Sequence, residues 1–205
     1  MLVQGQVETA ITPSRSTGQP NLQQLQLGEL GASEILPRYA ALAWSGLVFY
    51  GCNNAAQALS VGSSTFTGLA LSNPAGTGKN LIIIDVEISQ AAVGAAAVMN
   101  PKLGWAPAVA LTTTNTNGPT SLLVGSGGGS VAKVGSSATL AAAPTIIRPI
   151  LGQQWITAGV GMWGFYAKDV VDGAIIIAPG EMLTIDSLIG AVSVLSSVTW
   201  AELPI

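Results

Sequence analysis

The sequence predicts an all-β domain of sandwich or jelly-roll type, preceded by an extended N-terminal arm. Three observations predict it. Short apolar runs rich in Ile and Val recur along the chain, where a helical protein would show long amphipathic segments. Turn residues punctuate these runs throughout, with 25 Gly and 11 Pro in 205 residues. The first 38 residues have a different composition from the rest: they are Gln-rich and contain Pro13, Pro20 and Pro37.

Taken in order, residues 1–38 carry Gln4, Gln6, Gln19, Gln23, Gln24 and Gln26 but no β-branched run. Leu22, Leu25 and Leu30 allow a turn or two of helix within an otherwise extended arm. The domain is expected from residue 39 to residue 205. Strands are predicted at 42–50, 56–61, 66–72, 81–88, 107–113, 121–124, 130–134, 145–151 and 155–166. The 81–88 run is β-branched, and its second half alternates between apolar and acidic residues. Residues 174–177 and 182–185 read as two strands joined by a Pro179-Gly180 turn. Residues 192–203 read as a closing strand in which Val192, Val194, Val198 and Trp200 share one parity and face the core. Pro204 ends it, having no N–H to donate. Residues 112–119 and 125–130 are expected to be loops, and the Ala-rich stretches 91–98 and 138–143 fit either helix or strand.

Composition narrows the function. Hydrophobic residues make up 49% of the chain and charged residues 8%, with net charge −3 and no His. An average domain is about 25% charged. Seven cations scattered along the chain make no basic footprint, so direct nucleic-acid binding is not expected. The longest strongly apolar run, 40–51, is shorter than the roughly 20 residues of a membrane span, and the first residues do not read as a secretory leader. A surface this poor in charge has to be neutral-polar or covered by other chains, which points to assembly. Cys52 has no intrachain partner and reads as a small buried hydrophobe.

Several motifs invite a chemical reading. Asn73-Pro-Ala-Gly-Thr-Gly-Lys79-Asn80 resembles a phosphate loop, but Asn stands at both ends and a strand follows, so a surface turn is expected. Gly159-Val-Gly-Met-Trp-Gly164 matches a dinucleotide fingerprint without the βαβ context that fingerprint needs. Asp169 and Asp172 offer too few oxygens for calcium. Asp85 and Glu87 share one strand face and read as a polar rim. Without His, neither a Ser-His-Asp nor a Cys-His arrangement is available. No catalytic, cofactor-binding or metal-binding residue is therefore expected, and no enzyme activity. Trp44, Trp105, Trp155, Trp163 and Trp200 read as core or subunit-interface anchors, with sugar stacking the alternative.

Two stretches carry a resemblance. The first runs from Gly68 to Ser89 and contains Leu-Ala-Leu-Ser-Asn-Pro-Ala-Gly-Thr-Gly-Lys before an apolar strand. The second runs from Ala174 to Ile205 and ends in Ser-Val-Thr-Trp-Ala-Glu-Leu-Pro-Ile. Both resemble virion structural proteins of tailed bacteriophages, which commonly end in Trp-Glu-Glu-x-Pro-Ile; here Ala201 stands where Glu is usual. The resemblance implies a capsid cement (decoration) protein: a β-rich homotrimer on the virion surface, made in the host cytoplasm and bound to the major capsid protein. A tail or head-fibre receptor-binding module is the alternative.

Overall fold

The computed structural model describes residues 39–90, 100–150, 166–188 and 193–205. The chain divides at Leu36/Pro37, and everything described here belongs to the second unit. The arm expected at 1–38, the Ala-rich stretch 91–98, Val192 and nearly all of the strand expected at 155–166 lie outside the described residues.

The domain opens with one short helix, α1 (Ala40–Trp44), where the apolar run 42–50 suggested a strand. Ala and Leu favour helix, and Gly46 at φ +69 stops it. The Gly46 N–H donates to Ala43 O and the Leu47 N–H to Leu42 O, a paired C-terminal cap. The strands are β1 (Val48–Asn53), β2 (Gln57–Ala58), β3 (Thr65–Asn73), β4 (Lys79–Gln90), β5 (Pro101–Pro107), β6 (Thr116–Ser121), β7 (Lys133–Thr139), β8 (Thr145–Pro149), β9 (Tyr166–Val170), β10 (Ile176–Ile177), β11 (Glu181–Ser187) and β12 (Ser193–Pro204). Residues 108–113, expected as strand, form a segment bridged only at Thr112. Part of the expected 112–119 loop is β6, whose Thr-Asn content is tolerated because it lies at a sheet edge.

Two antiparallel sheets form the domain, consistent with a β-sandwich. The first has the order β10-β4-β12-β1-β6, with β2 also on β12 and β9 also on β4; the second has the order β7-β3-β11-β5-β8. Among the described residues, no hydrogen-bonded pair joins consecutive strands. The Pro179-Gly180 turn therefore does not close a hairpin: β10 pairs with β4 and β11 with β3 and β5, so the turn crosses between sheets.

The main core fills the space between the sheets and includes Phe49, Leu69, Leu71, Ile83, Val134, Ile185 and Trp200. Trp200 is fully buried and stacks on Phe49, with centroids 6.1 Å apart. Val194 and Val198 are buried on the same parity, as period-two alternation requires. Gly51 lies opposite them on β1, and a Cβ there would sit 2.6 Å from Val134 Cγ2 and 3.3 Å from the Trp200 ring. The sheets can approach here because this residue has no side chain. α1 covers one end of the outer face of the first sheet, where Leu42 and Ala43 pack near Val48, Ile84 and Ala201.

Candidate functional site

The phosphate-loop-like motif is a turn from β3 into β4, with Gly76 and Gly78 both at positive φ. Asn73 organises it. Its Nδ2 donates to Lys79 O at 2.8 Å and Ile177 O at 3.0 Å, its Oδ1 accepts from Thr77 Oγ1 at 2.7 Å, and its carbonyl accepts from Gly180 N at 2.8 Å. Lys79 pairs with Glu202 at 3.1 Å. Glu202 is fully buried and also accepts from Val131 N, Ser130 Oγ and Trp200 Nε1. One carboxylate thus fastens the end of the Gly-rich 125–130 loop and the start of β4 to β12. The Ile205 N–H donates to Gly78 O. The two stretches that carry the phage resemblance are therefore bonded to each other, and their motif residues hold the fold together.

The open half of the outer face of the first sheet carries a cluster of polar side chains. Register places Lys168, Glu87, Ser197, Cys52 and Asn117 side by side across five strands, with Asp85, Thr199 and Tyr50 in the adjacent row. Lys168 Nζ lies 2.5 Å from Glu87 Oε1 and 3.4 Å from Asp85 Oδ2, and Glu87 holds its ammonium above the ordinary lysine range. Asp85 and Glu87 do share one face, as expected. Cys52 does not sit in the core: it is half-buried on this face, and Asn117 Nδ2 donates to its Sγ at 3.5 Å. Burial raises the Tyr50 phenol above its usual value; Cys52 and Glu87 add to the rise, and a hydrogen bond with Ser197 opposes it. A cavity of about 220 Å³ opens here, lined by Tyr50, Cys52, Glu87, Tyr166, Leu195 and Ser196 among others. Sequence reasoning missed Tyr50, Tyr166 and Ser197; the available signal was the alternation Leu195, Ser197, Thr199 beside Asp85, Glu87, Ser89.

The second sheet contributes two features. Lys102 and Asp186 face each other across β5 and β11 with Nζ 3.7 Å from Oδ1, and both are buried. Burial raises the Asp186 carboxyl to about 6 against the opposing pull of Lys102. At the sheet's edge, β8 leaves Ile146 and Ile147 exposed by 47% and 45%, with Trp105 on the adjacent strand exposed by 41%. Arg148, the charged residue of β8, is drawn to Asp169 of β9 at 2.9 Å.

Asp169 and Asp172 stand apart in role: Asp169 binds Arg148, and Asp172 accepts from Tyr39 Oη at 2.6 Å in the turn after β9. Among the described residues, no three His, Cys, Asp or Glu side chains converge to hold a metal. Trp44 is exposed on α1; Trp155, Trp163 and the 159–164 glycine motif lie outside the described residues. In comparison with known proteins, no family model, no curated protein and no solved structure matches this chain.

Proposed function

We propose that this chain is a non-enzymatic structural protein of a tailed-bacteriophage virion, a capsid cement protein that binds the major capsid shell as a homotrimer. The observation that carries the reading is the β8 edge. Soluble monomers guard a free sheet edge with charge, proline or a covering segment. Here the edge presents Ile146 and Ile147 beside Trp105, and its one charge is turned to Asp169 within the chain. Lys79, Lys102, Arg148 and Lys168 are all tied to acids of the same chain; among the described residues Lys133 is the cation outside such pairs. Association then depends on apolar area, worth about 25 cal/mol per Å² removed from water, and on repetition over the shell, which multiplies weak contacts by avidity. The fold-knitting role of the phage-like motifs supports the same reading. The virion surface is the proposed location, with neither nucleic acid nor membrane as partner.

Two measurements test it together. Light scattering of the purified chain is expected to give three times the chain mass, and co-sedimentation with purified capsids is expected to leave the chain in the shell pellet. A monodisperse monomer at micromolar concentration that stays in the supernatant refutes the proposal.

A further inference from the structure

We infer that the open half of the first sheet's outer face binds a neutral saccharide, one sugar ring at a time, in the cavity between Tyr50 and Tyr166. The size sets the ligand. Pockets for drug-sized ligands run about 300–1,000 Å³, and this cavity of about 220 Å³ suits a single small ring. The lining sets the class. Tyr166 is 62% exposed and offers a ring face, and sugars pair such faces with their C–H surface while their hydroxyls seek polar partners. Those partners are present. Glu87 Oε1 is held by Lys168, leaving its second oxygen to accept. Ser89 and Ser197 line the same cavity. Ser89 and Ser197 stand on the same parity as Glu87 and Thr199, so their hydroxyls lie on the outer face with the cavity.

Other ligand classes fit less well. An anion would face Asp85 and Glu87 across Lys168, whose charge those two acids already hold. A quaternary ammonium needs aromatic faces within about 6 Å on several sides. The strands bearing Tyr50 and Tyr166 are separated by β12 and β4, so their backbones lie roughly 14 Å apart at normal strand spacing. The tyrosines flank a polar floor and do not close a cage. The inference does not rest on the proposed assembly, since the β8 edge belongs to the other sheet.

The test uses the full chain and the methyl glycosides of glucose, galactose, mannose and N-acetylglucosamine, followed by saturation-transfer NMR and titration. At least one glycoside is expected to bind. Tyr166→Ala is expected to weaken that binding about ten-fold, the equivalent of a stacking contact, with the melting temperature and the light-scattering mass unchanged. Ser89→Ala removes a hydroxyl of the cavity lining and provides a second variant that keeps the fold; weakening in at least one of the two is required. Binding by none of the glycosides, binding unaffected by both substitutions, or binding of tetramethylammonium alone overturns the inference.

Discussion

Replacing Trp200 by Ala would test the core directly. The indole is fully buried, stacks on Phe49 at 6.1 Å and donates to Glu202 at 3.4 Å. Its removal leaves a cavity opposite Gly51, a residue with no side chain to relax into it. Truncating a buried Trp costs about 3–5 kcal/mol, a large share of the roughly 5–15 kcal/mol that holds a domain folded. At about 2–4 °C per kcal/mol for a domain of this size, the melting temperature is expected to fall by roughly 6–20 °C. Differential scanning calorimetry measures the shift, and near-UV circular dichroism reports the loss of ordered aromatic packing. Trp44→Ala deletes the same side chain from a position 81% exposed and is the internal control. It is expected to change stability by no more than about 0.5 kcal/mol. Equal melting temperatures for the two variants would refute the reasoning.

Other predictions come from the same contacts. Gly51→Ala and Val134→Ala are each expected to destabilise, the first by overpacking at about 1–3 kcal/mol. The double variant should recover part of the loss, because the added methyl enters space that Val134 vacates; strict additivity in urea denaturation would contradict this. Glu202→Gln is expected to speed amide exchange at Val131 and along the 125–130 loop while β3 stays protected, and unchanged exchange there would remove Glu202 as the anchor. Asp186 binds a proton more tightly folded than unfolded, since its carboxyl is raised to about 6. Acid therefore favours the folded state: the gain is complete below the unfolded carboxyl value and is lost as pH rises through 6. Between pH 7 and pH 5 the gain is on the order of 1 kcal/mol by linkage. Asp186→Asn is expected to be less stable overall, because Lys102 loses its partner, and to lack that part of the pH dependence; identical slopes in urea titrations at the two pH values would refute it. Ile146→Lys with Ile147→Lys is expected to shift the light-scattering mass toward the monomer with little change in melting temperature.

The strands that were legible in the sequence are those whose side chains alternate strictly between core and outside. β4 and β12 showed both β-branching and period-two patterning, and the burial of Val194, Val198 and Trp200 follows from parity alone. α1 was not legible as a helix because its five residues merge into the apolar run of β1, and the boundary is set by the backbone geometry of Gly46. β6 was hidden by its Thr-Asn composition, which only an edge position tolerates. The 174–185 segment looked like a hairpin because local sequence shows a turn but not which sheet each arm joins. The polar outer face of the first sheet was legible in half: Asp85 and Glu87 were placed on one face, whereas Tyr50, Tyr166 and Cys52 join them through pairing between strands far apart in sequence. The role of Lys79 in a phosphate-like loop was unreadable for the same reason, since its partner Glu202 lies 123 residues away.

The position of β12 has a consequence for how the chain is made. It runs between β4 and β1 in the middle of the first sheet, although among the described strands it emerges from the ribosome after all the others. At about 5–20 residues per second, roughly seven to thirty seconds pass between the emergence of β1 and that of β12. Through that interval β1 and β4 each lack their central partner, and Phe49 lacks its stacking ring. The first sheet therefore closes only after synthesis reaches residue 204, by a late insertion of non-local pairings of the kind that fold slowly. A nascent chain stalled before β12 has two open strand edges that other copies of the chain can meet. The stage at which copies first meet is then part of the folding problem, and holdase chaperones that bind such edges would be expected to raise the yield of native protein.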